Sequence, residues 1–133
     1  MQFNSLIPEL SVENLLDSLR FYVDTLGFKI EYQRIEDKFA LVSFENVQLM
    51  LEQVNGHWET APLEKPFGRG INFQIATNHL EALVHRLQKK GISLFRPAEN
   101  QQYTVNGTIY RQREFLVQDP DGYLLRFCQK IES

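Results

Sequence analysis

The chain of 133 residues has one cysteine, three histidines and no apolar run near the roughly 18 residues that a membrane helix needs. A single cysteine, Cys128, excludes an intramolecular disulfide and is typical of a reducing compartment. The N-terminus lacks the basic and apolar regions of a signal peptide, so we expect a cytoplasmic protein with no membrane partner. Acidic residues outnumber basic ones, 17 to 14, and this balance disfavours nucleic acid as a partner because phosphate binding requires a basic surface.

What the chain does contain is apolar and aromatic material for a core. Hydrophobic residues make up 43% of it and aromatic residues 12%, including 10 Phe and 5 Tyr. A chain of this length buries about two thirds of its unfolded surface and does not need disulfides or a structural metal. The composition and length therefore predict one globular domain or two half-domains that share a core.

Two segments 64 residues apart have the same amphipathic helical pattern. In the first, Asn14 is the predicted N-cap and Gly27 the helix stop. In the second, Asn78 is the predicted N-cap, Glu81 completes a capping box and Gly91 is the stop. This repetition predicts an internal duplication.

Strand-like runs complete the repeat, because each predicted helix follows one such run and precedes three others. Each half therefore reads β-α-β-β-β, which predicts an α+β fold made of two βαβββ modules. We expect module one at about 1–54, a linker at 55–69 and module two at 70–133, all within one domain. The predicted strands are 6–12, 28–35, 38–44 and 47–54 in the first half, and 70–77, 92–96, 108–118 and 123–129 in the second.

Turn signals separate these runs. Asn46 is expected to lie in a turn, and the pair Asn106 and Gly107 is typical of a hairpin. The run DPDG at 119–122 is a strong turn signal, so we interpret its carboxylates as turn residues and not as acid–base groups. The stretch 97–107 is expected to be irregular.

Three runs together resemble the glyoxalase/bleomycin-resistance/extradiol-dioxygenase superfamily: IPELSV at 7–12, FYVDTLGF at 21–28 and DPDG at 119–122. The chain looks most like the bleomycin-resistance proteins. The resemblance implies a vicinal oxygen chelate-like fold, in which paired βαβββ modules form a cupped mixed sheet around a ligand. It also implies a homodimer, since exposed strand edges and an apolar cup need covering.

Enzymes of this superfamily hold a divalent metal with His and Glu side chains. Imidazole, carboxylate or thiolate donors are required for such a site. A shift of two residues would bring in Glu9 or Glu52 but no histidine, so the sequence predicts no metal and no cofactor. Carried over onto this chain, the ligand positions hold Ile7, Met50, Gly70 and Arg126.

Other catalytic arrangements are poorly represented. His79 and His85 are six residues apart on a predicted helix and cannot share one face. Cys128 is expected to be a buried structural thiol and not a nucleophile. No serine lies in a Gly-x-Ser-x-Gly context.

Aromatic residues and a few charged ones are left as candidates for ligand binding, each of which would otherwise be a packing residue. The resemblance places stacking aromatics at Phe39 and Tyr110. The net negative charge favours a ligand that is cationic and aromatic. The predicted ligand-binding residues are Phe39, Glu52, Trp58, Phe67, Tyr103, Tyr110 and Arg126.

The sequence thus favours a metal-free small-molecule binding protein of the bleomycin-resistance type, which confers antibiotic resistance by sequestering a drug-like ligand in an aromatic groove. The alternative is an enzyme, namely a metal-dependent glyoxalase-type lyase or isomerase, or a dioxygenase. A relative of the fosfomycin-resistance enzymes is a third possibility. The substituted ligand positions disfavour both of these.

Overall fold

The computed structural model describes residues 1–132 and contains two four-stranded sheets, one in each half of the chain. The βαβββ order predicted for each half is confirmed. In these residues no helix combines the length and the apolar character needed to span a membrane. The elements are β1 Glu9–Val12, α1 Leu15–Leu19, β2 Lys29–Arg34, β3 Phe39–Phe44, β4 Val47–Gln53, β5 Asn72–Ala76, α2 Leu80–Lys89, β6 Arg96–Val105, β7 Thr108–Gln118 and β8 Leu124–Lys130.

The two sheets have equivalent topology. The strand order is β1-β4-β3-β2 in the first sheet and β5-β8-β7-β6 in the second. The first strand of each module pairs in parallel with the last, and the other neighbours are antiparallel. An identical arrangement of mixed sheets in the two halves is what a duplicated module produces.

The starts of the two helices differ. The side chain of Asn14 caps α1 as predicted, accepting a hydrogen bond of 3.0 Å from the N–H of Asp17. The predicted cap at Asn78 is wrong, because His79 occupies the N-cap position of α2 and makes no side-chain capping bond. The capping box is also wrong, since the carboxylate of Glu81 accepts a 2.6 Å bond from Nε of Arg113.

A second contact holds both helix starts in the same way. The side-chain oxygen of Gln53 in β4 accepts from the N–H of Leu15 at 3.1 Å. The oxygen of Gln129 in β8 accepts from the N–H of Leu80, also at 3.1 Å. Each helix therefore has one of its free N-terminal donors satisfied by the last strand of its own module.

The predicted structure between α2 and β7 is wrong. Residues 92–95 are not a strand, and 97–107 is not irregular: β6 runs through Arg96–Val105 and pairs with β7. Most side chains of β6 are polar or exposed, so the sequence lacks the alternation that marks a half-buried strand. The hairpin turn is confirmed, with Asn106 at φ 50° and Gly107 at φ 80°.

The residues divide into two compact units. The first contains 1–67 and 119–122, and the second contains 68–118 and the chain from Tyr123 onward. The turn at 119–122 thus belongs to the first unit, although the strands before and after it belong to the second. That the whole chain acts as one domain stays a prediction.

Polar contacts anchor the turn at 119–122 within the first unit. The hydroxyl of Tyr22 donates a 2.8 Å hydrogen bond to Asp119, and both residues are buried. Gly122 closes the turn with a bond from its N–H to the carbonyl of Asp119. Its φ is 102°, and a Cβ there would lie 2.6 Å from Cα of Pro66, so only glycine fits. The predicted turn is confirmed.

Candidate ligand-binding site

Successive residues of each strand point to opposite faces of the first sheet, and we call one of these faces the first-module face. Strand pairing sets its residues in two rows across β1, β4, β3 and β2. Cross-strand partners point to the same side of a sheet, so each row presents its side chains together. The rows are Glu9, Met50, Leu41 and Tyr32, and Ser11, Glu52, Phe39 and Arg34.

The ring of Phe39 is not an open stacking surface. The guanidinium of Arg34 lies 3.9 Å from the ring centroid, and Phe39 is only 1% exposed. A cation this close to an aromatic face makes a favourable cation–π contact. The ring thus supports Arg34, and a ligand-stacking role for Phe39 itself stays a prediction.

Two carboxylates lie on neighbouring strands of the first-module face. Burial raises the pKa of Glu9, the charge of Glu52 raises it further, and the charge of Arg34 lowers it. Glu52 is buried and accepts a hydrogen bond from the side-chain amide of Asn55. The paired acids give this part of the face a negative potential.

A cavity of about 560 Å³ opens beside this row, between strand residues and the loop that follows β4. Asn55 connects the two sides, because its side-chain oxygen accepts from the N–H of His57 at 2.9 Å. Trp58 lines the cavity and is 62% exposed. The structure therefore brings together two of the predicted residues, Glu52 and Trp58.

Phe67 does not belong to this surface. Its side chain is 8% exposed, and its N–H donates a 2.8 Å bond to the carbonyl of Asp121. The residue lies beside the 119–122 turn, and its ligand-binding role stays a prediction. The Pro- and Gly-containing sequence around Phe67 predicts a loop and does not predict that this side chain is buried.

The equivalent face of the second sheet, which we call the second-module face, carries the other three predicted residues that lie on a strand: Tyr103, Tyr110 and Arg126. Tyr103 of β6 pairs with Tyr110 of β7, and their side chains are 40% and 52% exposed. The hydroxyl of Tyr103 donates to one oxygen of Glu114 at 2.9 Å, and the amide of Gln112 donates to the other at 3.0 Å. Burial, and then Glu114, raise the pKa of Tyr103.

Arg126 lies on the same face in the row formed by Gln74, Arg126, Leu116 and Arg96. Its Nε is buried, and among residues 1–132 no group accepts a hydrogen bond from it. The guanidinium of Arg96 lies 5.7 Å from the ring centroid of Phe95. The row thus contains two arginines, one on each side of Leu116.

The residues at the family's metal positions do not fit a metal ion. Met50 and Arg126 each precede the helix-capping glutamine of their module by three positions, so the two positions are equivalent. A thioether and a guanidinium cannot replace the imidazole and carboxylate donors of a divalent site. Ile7 and Gly70 precede β1 and β5 and add no donor. Within 1–132, no three His, Cys, Asp or Glu residues are grouped to hold a metal.

The only thiol does not supply a nucleophile. Cys128 is buried, as predicted, and burial followed by the charge of Glu114 raises the pKa of its thiol. A raised pKa keeps sulfur protonated, whereas a reactive cysteine needs a thiolate.

Sequence reasoning missed four residues that shape these two faces: Arg34, Asn55, Arg96 and Glu114. Pairing between β2 and β3 places Arg34 opposite Phe39, and that pairing depends on the short helical turn Ile35–Asp37. The acidic residues of this turn gave no recognisable hairpin signal. Arg96 and Glu114 were missed because β6 was not predicted: Arg96 lies on that strand, and Glu114 is bonded by Tyr103 of the same strand.

Comparison with known proteins agrees with this architecture. Residues 4–127 match the model of the Glyoxalase/Bleomycin resistance protein/Dioxygenase superfamily. The chain belongs to this superfamily. Bleomycin resistance proteins of Geobacillus stearothermophilus and Staphylococcus aureus are each 27% identical to it, over 96% of this chain and 97% of theirs.

Solved structures of other proteins share the fold of this superfamily member. TioX from Micromonospora sp. ML1 has a TM-score of 0.74 at 14% identity, covering 97% of this chain and 100% of TioX. A virulence protein from Salmonella typhimurium has a TM-score of 0.70 at 18% identity, covering 98% and 100%. These likenesses establish the two-module vicinal oxygen chelate fold.

Proposed function

We propose that this protein is a metal-free binder of the bleomycin-resistance type, which sequesters a small aromatic drug-like molecule. The observation that carries the proposal is the cavity of about 560 Å³ beside Glu52 and Trp58 on the first-module face. An exposed indole gives a planar ligand a stacking surface, and a buried carboxylate gives it a partner for a positive charge. Kinship with bleomycin resistance proteins along nearly the whole chain supports this proposal.

Sequestration requires no reaction, and it agrees with the residues at the family's metal positions. Glu9 and Glu52 favour a cationic group near the cavity, while Arg34 limits how far their negative potential extends. The exposed pair Tyr103 and Tyr110 offers a second aromatic surface on the other module. We further propose that the protein works in the cytoplasm as a homodimer.

The test is a titration with metal-free and copper-loaded bleomycin, followed by the fluorescence of Trp58, the only tryptophan. We expect saturable quenching with about one drug per site. Glu52→Gln removes the negative charge but keeps the shape, so it should weaken binding about tenfold, the value of one charge-assisted contact. Glu45→Gln makes the same charge change in an exposed turn outside the cavity and should leave affinity within about twofold.

Equal losses in the two variants would trace the effect to net charge and would contradict a role for the cavity. Absence of both quenching and a thermal shift at high drug concentration would remove bleomycin as a ligand. Because Phe39 is buried beneath Arg34, Phe39→Ala is a poor probe of stacking. Tyr110→Ala removes an exposed ring instead and tests the second-module face.

The enzymatic alternative predicts a bound ion. Purified protein should be analysed for zinc, nickel, manganese and iron, and its melting temperature measured with each of these ions. We expect less than about 0.1 ion per chain and no thermal shift, because ion binding to the folded state alone would raise the melting temperature. A stoichiometric ion held by the chain would overturn the metal-free proposal.

A further inference from the structure

The second-module face contains an arginine, Arg126, whose buried Nε–H has no hydrogen-bond partner among residues 1–132. Buried hydrogen-bond donors nearly always have partners, and a charged donor loses most when it has none. This donor therefore indicates an acceptor supplied from outside the chain.

Glu114, an acidic residue on this face, does not serve as that acceptor. Glu114 lies on the adjoining row, paired with Cys128. One of its oxygens accepts from the hydroxyl of Tyr103 and the other from the amide of Gln112. Both oxygens therefore have neutral donors, and neither accepts the Nε–H of Arg126.

Neighbouring residues in the row of Arg126 carry no acceptor of opposite charge. Gln74 on one side is uncharged, Leu116 on the other is apolar, and Arg96 beyond it adds a second positive charge. Two guanidinium groups flanking a leucine make a surface that is positively charged and partly apolar. Such a surface suits a planar anion attached to a ring.

We propose that Arg126 binds the carboxylate of an aromatic ligand on the second-module face. The planar fork of a guanidinium matches the two oxygens of a carboxylate, and Nε–H is one of the donors in that fork. Tyr103, 40% exposed and hydrogen-bonded to Glu114, supplies an aromatic ring on this face. The inference rests on the proposed function and adds an acidic group to the ligand that the protein accepts.

Three naphthalenes of matched shape test the assignment: 2-naphthoate, 2-naphthamide and 2-naphthylmethylamine. Protein labelled with ¹⁵N-arginine reports each Nε–H separately, and loss of one resonance in Arg126→Lys assigns that of Arg126. We expect naphthoate to move this resonance and to bind about tenfold more tightly than the amide, the strength of one bidentate charge-assisted contact. At Arg126, as read from this resonance, the amine should bind most weakly, whereas any binding of the amine beside Glu52 is reported separately by Trp58 fluorescence.

Arginine variants identify the group that reads the carboxylate. Arg126→Gln should lower the affinity for naphthoate to that for naphthamide, and Arg126→Lys should retain part of the preference because it keeps the charge without the fork. Arg113→Gln is the matched control, since Arg113 is on the neighbouring strand but is already paired with Glu81 and Asn100. It should change naphthoate affinity less than about twofold.

Equal affinity for naphthoate and naphthamide would overturn the proposal, as would an equal loss in Arg113→Gln and Arg126→Gln. Movement of another arginine's resonance in place of that of Arg126 would also overturn it. Should Arg126→Gln fail to fold, the resonance and Arg126→Lys still decide. Bleomycin quenching of Trp58 reports the first-module face, so its persistence without naphthoate selectivity would contradict this inference alone.

Discussion

At the scale of single residues, one buried hydrogen bond fixes two distant parts of the chain to each other. Tyr22 lies in the π-helical segment Arg20–Thr25 that follows α1, and Asp119 lies in the 119–122 turn. The two residues are 97 apart in sequence and share a 2.8 Å hydrogen bond. Replacement of a buried carboxylate's donor leaves an acceptor that water cannot reach. The stability effect of such a pair is therefore seen mainly when one member is removed, because the other is left buried without a hydrogen bond.

Tyr22→Phe should therefore lower the free energy of unfolding by about 1.5–3 kcal/mol, the usual contribution of a hydrogen bond to a charged group. Urea unfolding followed by circular dichroism measures the change. Tyr110→Phe removes a hydroxyl from a side chain that is 52% exposed and should cost less than about 0.5 kcal/mol. Equal losses in the two variants would mean that the Tyr22–Asp119 bond adds no stability of its own.

Glu9 shows how two strands alter the pKa of one group. Burial and the charge of Glu52 raise its folded-state pKa above the ordinary value of 4.5, so the folded protein binds this proton more tightly than the unfolded chain does. Its stabilising contribution is therefore greatest at acid pH and is lost as the pH rises through the folded-state pKa. An NMR titration of the Glu9 carboxyl carbon should give a raised pKa that falls in Glu52→Gln and rises in Arg34→Gln.

A Glu9 pKa that does not respond to either variant would show that its neighbours do not set it. Glu9→Gln tests the same linkage through stability. This variant should be at least as stable as the parent at neutral pH, and the advantage should disappear toward acid pH.

At the scale of elements, the two modules use one architecture with different local chemistry. Residue pattern alone predicted the existence and order of the helices and most strands, because apolar periodicity is set by the buried face. It failed at Asn78, where the cap predicted from the duplication is displaced by one residue to His79. It also failed at β6, whose polar side chains hide a strand held by backbone pairing with β7.

The caps give a prediction with an internal control. Asn14→Ala removes a side chain that accepts from the N–H of Asp17 and should destabilise the protein by about 0.5–2 kcal/mol. Asn78→Ala is the same substitution at the duplicated position, which makes no capping bond, and should cost less than about 0.5 kcal/mol. Thermal and urea unfolding of the two variants compare them directly, and the reverse order would contradict the assigned caps.

At the scale of the whole molecule, two compact units contain the candidate ligand-binding residues in separate groups. Sequence reasoning selected Glu52, Trp58, Tyr103, Tyr110 and Arg126 by residue type. The structure places four of them on one of two sheet faces and Trp58 in the loop that lines the cavity beside the first. Phe39 and Phe67 are buried in the structure, and their predicted binding roles stay predictions. From sequence alone, an aromatic residue that lines a groove cannot be distinguished from one that packs in the core, because residue type does not reveal what covers the ring.

Quaternary structure is the remaining prediction at this scale. The β6–β7 hairpin continues past the end of β8 as a two-stranded ribbon, and it exposes Val105 and Ile109 near its tip. Two strands alone are marginally stable in water, so we expect a second copy to cover the ribbon. Sedimentation velocity should give twice the chain mass of 15.6 kDa, and Ile109→Glu should shift the protein toward monomer.

The control is Leu16→Glu, which places the same charge on an exposed apolar position of α1. It should leave the sedimentation coefficient unchanged. A parent protein that sediments as a monomer at tens of micromolar would contradict the predicted homodimer.

The turn at 119–122 has a consequence for biosynthesis. The ribosome synthesises residues 1–67 well before the four residues at 119–122 that complete the first unit. During that interval Tyr22 lacks the carboxylate that it bonds in the finished protein. The first unit therefore cannot complete its folding until β5 to β7 have been translated. During that interval it is most accessible to chaperones and proteases.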